Sequence, residues 1–135
     1  MRKALALAMF LGLSGCSGAA QTPDNARICT LYAAQQSHAE VVASGKIVDV
    51  LGTRGGPSGG HEGYLLHLES GCDTLVRVET NVDLTGPVPL RSGEAVVVKG
   101  EYEYTPLGGV IHWTHRDPRG RHEGGYVIAA GKTYE

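Results

Sequence analysis

The sequence predicts a mainly β domain, a small OB-like β-barrel or rolled sheet with one short N-terminal helix. Three observations carry this. Short β-prone stretches with alternating apolar and polar positions recur along the chain. Glycine-bearing turns separate them, drawn from 20 glycines in 135 residues. The first strand is long and interrupted by Gly45, which permits the bend that a tightly curved sheet needs. A closed sheet buries its apolar face without leaving long edges open to aggregation. No internal repeat or second domain is evident.

In order, residues 28–37 suggest the helix, since Ile28, Leu31, Tyr32 and Gln35 give a partial apolar stripe. Residues 40–51 read as the long first strand. Residues 52–60 hold five glycines and a proline with no core-forming run, so composition predicts a loop. Strands follow at 62–69 and 74–79; Tyr64, Leu66 and Leu68 share one face of the first, opposite Leu65, His67 and Glu69. Residues 81–93 form a longer connection, in which Asn81 and Asp83 are suited to locking the turn through side-chain-to-backbone bonds. Residues 95–104 make a further strand, with Tyr102 and Tyr104 opposite Glu101 and Glu103. Strands at 110–115 and 125–130 complete the set.

The N-terminus predicts export. Arg2 and Lys3 precede an apolar run, Ala4 to Leu13, too short to span a bilayer as a mature helix. Leu13-Ser14-Gly15-Cys16 looks like a bacterial lipobox, which implies cleavage before Cys16 and its acylation. Ser17 after it looks like a signal for the outer membrane. The expected organisation is a signal peptide at 1–15, lipidated Cys16 with a tether at 16–27, and one β-rich domain at 28–135. The protein would then face the periplasm, held to the membrane by lipid. Of three cysteines, Cys29 and Cys72 remain. In an oxidising envelope one disulfide is the simplest outcome; two buried thiols or separate metal ligands are the alternatives.

The formal charge of −2 becomes more negative when Arg2 and Lys3 leave with the signal. Such a balance gives no general pull toward nucleic acid, which is not favoured as a partner.

Potential chemistry concentrates in residues 108–122, GGVIHWTHRDPRGRH, with three of the six histidines and the only tryptophan. His112 and His115 would point oppositely on a regular strand, so they share a site only if the strand ends between them. His61, His112, His115, Asp117 and His122 are the metal candidates. Imidazole and carboxylate suit a divalent transition metal such as zinc, although the spacing matches no HExxH or cysteine-rich motif. Arg116, Arg119 and Arg121 suit recognition of phosphate or carboxylate, and Trp113 offers a ring face for a sugar. His38 and His67 stand isolated and receive no role.

Residues 45–134 resemble the bacterial envelope family DUF3465. The resemblance rests on His61 after the glycine loop, Asn81-Val82-Asp83-Leu84, Gly100-Glu101-Tyr102-Glu103-Tyr104, the 108–122 string and the final Gly131-Lys132-Thr133-Tyr134. Where the family commonly has histidine before its Asn-Ile-Asp-Leu stretch, this chain has Thr80. The resemblance implies a secreted or lipidated small domain and no particular catalytic activity.

The resulting expectation is an envelope lipoprotein that binds a glycan-like or anionic small molecule, or another envelope protein. His61, His112, Trp113, His115, Arg116, Asp117, Arg119, Arg121 and His122 are the ligand-binding candidates. A metal-dependent hydrolase using a histidine/aspartate site is the alternative from another class; a structural envelope protein without a small ligand is the third.

Overall fold

The structure, a computed structural model, describes residues 20–135. The expected signal peptide and Cys16 lie outside the described residues. Helix α1 (Asn25–Ala33) is followed by β1 (Ala39–Gly56), β2 (Gly59–Leu68), β3 (Leu75–Asn81), the short helix α2 (Val82–Thr85), β4 (Ala95–Glu103), β5 (Val110–His112), β6 (Tyr126–Ala129) and β7 (Lys132–Tyr134). The fold is mainly β, as expected, and its sheet rolls into a ring of five strands.

The ring closes because β1 serves two partners. Its first half pairs antiparallel with β4 from Ala39 to Lys46, and its second half with β2 from Gly45 to Gly56. Gly45 belongs to both ladders, and a Cβ there would lie 2.1 Å from the His67 carbonyl oxygen. Only glycine fits at this bend. β3 pairs with β2 and, in parallel, with β5, which returns to β4. Inward alternation supplies the core: Val41, Ala43, Ile47, Tyr64, Leu66, Leu68, Val76, Val78, Val98, Tyr102 and Ile111 are all buried.

α1 covers one opening with Ile28 and Leu31. It begins three residues before the expected start because Asp24 caps it, accepting from Arg27 N at 3.0 Å. Asn25, expected in the tether, is instead buried against β1. Its amide donates to Ser44 O at 2.9 Å and accepts from Ser44 N at 3.0 Å. The folded unit therefore starts before residue 28. Cys29 and Cys72 form a disulfide that ties α1 to the β2–β3 turn.

Three further expectations change. Residues 52–60 are not an open loop: β1 and β2 run on as a paired ribbon to Gly56↔Gly59, turning over Pro57 and Ser58. The strand expected at 110–115 stops at His112, where Trp113 turns to a left-handed φ of 55°. A seventh strand, β7, pairs with β6 across a turn in which Ala130 and Gly131 both have positive φ, the geometry of a tight two-residue hairpin.

Candidate functional site

One edge of β4 is shared by two strands. β6 takes Val96 to Lys99, and β5 takes Glu101 to Glu103. Between them the chain makes an excursion over residues 113–125, which is the histidine- and arginine-rich segment. The crossing is tight. A Cβ on Gly125 would meet the Trp113 carbonyl oxygen at 2.2 Å and that of Lys99 at 2.5 Å, and one on Gly100 would meet the His112 carbonyl oxygen at 2.3 Å. Gly125 N donates to His115 O at 2.8 Å, closing the loop at its base. Thr114 anchors it below, with its hydroxyl 3.0 Å from that of Thr80, both residues fully buried. Thr80, where the resemblance would place an imidazole, thus serves as a floor to the loop.

Asp117 organises the loop from within. Its carboxylate accepts from the backbone N–H groups of Arg119, Arg121 and His122. The bond from Arg119 is the largest cause of a pKa drawn down to about 2, reinforced by those from Arg121 and His122 against a partial desolvation. A carboxylate committed in this way is a poor free ligand or base.

Opposite the loop stand α2 and the tip of the β1–β2 ribbon. Asn81 Oδ1 caps α2 by accepting from Asp83 N at 3.1 Å, while its amide donates to Ser58 O at 3.0 Å. Asp83 accepts from Gly60 N at 2.9 Å. These bonds pin the ribbon tip to α2 and leave a cleft facing the loop. One part, of about 230 Å³, is lined by His61, Glu79, His112, Trp113 and His115. The adjoining part, of about 410 Å³, is lined by Asp83, Trp113, His115, Asp117, Arg119 and Arg121. Trp113 and His115 border both.

Trp113 is 40% exposed although it is the largest side chain of the loop. Its ring centroid lies 4.0 Å from that of His122, with the planes tilted by 57°, and 5.6 Å and 6.0 Å from those of His115 and His112. Holding a bulky residue at positive φ costs on the order of 1–3 kcal/mol, and such strain clusters at functional sites. The imidazoles around it are oriented by main-chain carbonyls. His115 Nδ1 donates to Arg116 O and His122 Nδ1 to Glu123 O, each at 2.8 Å, which fixes the orientation of both rings. Glu79 reaches the cleft with its charge met by Arg77 and Arg54.

The candidates therefore divide. His61, His112, Trp113, His115, Asp117, Arg119 and Arg121 line the cleft. His122 packs against the tryptophan ring. Arg116 departs from the group: its guanidinium pairs with Glu135 after β7. Arg119 and Arg121 have no ion-pair partner among the described residues. The five metal candidates do not converge as a set. Among the described residues the one group of three with ligand atoms all within 4.8 Å is His38, Glu101 and Glu103, and sequence reasoning assigned His38 nothing. Alternation along β4 was the available signal, since it places Glu101 and Glu103 on one face.

The fold and the cleft define a small ring-forming β domain with an aromatic and cationic surface hollow. The chain belongs to the DUF3465 family, described as a protein of unknown function, whose model matches residues 10–135. That match extends beyond the 45–134 stretch in which the resemblance was legible. Neither a curated protein nor a solved structure matches the chain.

Proposed function

We propose that this is a lipid-anchored binding protein of the bacterial envelope whose cleft receives a small anionic, glycan-like ligand. The observation that carries the reading is Trp113, strained and half exposed at the junction of the two hollows. A sugar ring stacks on such a face. On one side of it stand His61, His112 and His115, with lone pairs and N–H groups for hydroxyls. On the other stand Arg119 and Arg121, two guanidinium groups available for a carboxylate or phosphate. The metal-dependent hydrolase reading has less support, because Asp117 gives its acceptor capacity to three backbone N–H groups.

The envelope location is supported by the lipobox-like Leu13-Ser14-Gly15-Cys16 and by the Cys29–Cys72 disulfide, which suits an oxidising compartment and leaves Cys16 as the remaining cysteine. No helix among the described residues is long and apolar enough to cross a membrane.

The test uses the full chain in detergent micelles and the emission of its single tryptophan. Glucuronate and N-acetylmuramate should change the emission saturably, with neutral glucose far weaker. Charge-assisted hydrogen bonds contribute about 1.5–3 kcal/mol each, so Arg119→Ala/Arg121→Ala should weaken binding at least about tenfold. Identical titrations of parent and variant, or no response to any of the three sugars, would refute the proposal.

A further inference from the structure

The outer face of the ring carries a second group of side chains, placed by strand alternation. Along β4, Tyr102 points into the core and is fully buried, so Glu101 and Glu103 point outward together. His112 on β5 sits opposite Glu101. On the other edge Ala39 pairs with Tyr102, which brings the preceding residue, His38, beside Glu103. His38, Glu101 and Glu103 bring ligand atoms within 4.8 Å of one another there, and His112 stands beside the two glutamates.

His38 Nδ1 lies 2.7 Å from Glu103 Oε1 and 3.4 Å from Glu101 Oε1. His112 Nε2 lies 3.6 and 3.8 Å from the same two oxygens. The group is not an acidic patch, because imidazoles flank both carboxylates. His38 makes contacts of hydrogen-bond length with both glutamates, and two features of His112 depart from that pattern. The 3.6 and 3.8 Å separations are too long for hydrogen bonds. They approach the roughly 3.3–3.5 Å between neighbouring ligands of a tetrahedral ion with bonds of about 2.0–2.1 Å. In addition, His112 Nε2 is shut off from solvent and has no hydrogen-bond partner, although buried polar atoms are normally satisfied. The atoms it faces are the two carboxylate oxygens.

We infer that His38, Glu101, Glu103 and His112 bind a divalent first-row transition ion of the zinc type. Nδ1 of His38 and one oxygen from each glutamate are its ligands, and a turn of the exposed His38 ring toward β5 would let Nε2 of His112 complete the set. Two nitrogens and two carboxylate oxygens are a donor set of intermediate softness, matched to such ions rather than to calcium. The ion would clamp the start of β1 to β4 and β5. It would also border the cleft, which His112 helps to line. The site does not depend on the ligand reading above.

The experiment titrates the metal-stripped full chain with Zn²⁺ alone against a chromophoric chelator, and with Co²⁺ by visible absorption. One equivalent of Zn²⁺ should bind, with the intense Co²⁺ bands of a four-coordinate site. Loss of metal-orienting groups alone costs 10–100-fold in affinity, so Glu101→Gln/Glu103→Gln should weaken binding by more than about a hundredfold. His38→Asn, which tolerates the left-handed backbone at residue 38, should weaken it about tenfold or more. His115→Ala/His122→Ala should bind Zn²⁺ like the parent. Circular dichroism checks the fold of each variant. If the double glutamine variant does not fold, His38→Asn decides, since residue 38 is exposed. No Zn²⁺ bound by the folded parent, or undiminished binding in the folded glutamine and asparagine variants, overturns the site. So does loss confined to the His115/His122 variant. Sugar-acid titrations of the same samples report separately on the cleft.

Discussion

Replacing both bridged cysteines, Cys29→Ser/Cys72→Ser, should cost the fold about 4 kcal/mol. The bridge spans 43 residues of sequence and encloses all of β1, the strand that closes the ring by pairing with both β2 and β4, and its hairpin partner β2. In the chain-entropy model a loop of that length removes about 13 cal/mol/K from the unfolded ensemble, which is about 4 kcal/mol at room temperature. Domains of this size have only about 5–15 kcal/mol in total, so the loss is a large fraction. With a urea dependence of about 2 kcal/mol per molar, the midpoint should fall by about 2 M, or the chain should already be unfolded in buffer. Far-UV circular dichroism and Trp113 emission should report the same transition. A double variant whose midpoint stays within about 0.3 M of the parent would show that the ring closes without help from the bridge.

Asp117→Asn should destabilise the loop in a pH-dependent way. The folded carboxyl has its pKa held at about 2, below an ordinary value of 3.8. Its contribution is therefore complete above about pH 4 and lost as pH falls toward 2. Urea midpoints followed by Trp113 emission should differ between parent and variant at pH 7 and converge near pH 2; a gap of equal size at every pH would refute the assignment. For the N-terminus, intact-mass measurement of protein extracted from native membranes should show a chain beginning at Cys16 with added acyl mass. Cys16→Ser should abolish that mass; an unacylated or uncleaved chain in the parent would remove the anchor.

Much of the ring was legible because its core strands alternate. Tyr64, Leu66 and Leu68 read as one face and are buried as one. The bend at Gly45 was legible too, since a glycine within a β-prone run has few other uses. The glycine ribbon at 52–60 was not, because residues without side chains carry no alternation, and backbone pairing alone extends the hairpin there. The end of β5 at Trp113 left no mark, as nothing in a bulky aromatic residue announces a left-handed backbone. β7 was too short for a period to register. In the site, the concentration of histidine and arginine located the loop, yet Asp117 turned inward and Arg116 turned toward Glu135. His38 was invisible as a partner because 63 residues separate it from Glu101, and only the pairing of β1 with β4 joins them.

The docking of the chain's first described residues has a consequence for reach. Gln21 N donates to the Tyr126 hydroxyl at 2.9 Å and Asp24 N to Val42 O at 2.8 Å, so the chain is held to the sheet from Gln21 onward. If Cys16 carries lipid, as proposed, five residue steps at 3.3–3.6 Å separate it from Gln21, a reach of at most about 18 Å. The domain would then stay within a thin layer of fluid at the membrane. On that proposal, a ligand would have to come to the membrane surface to be met.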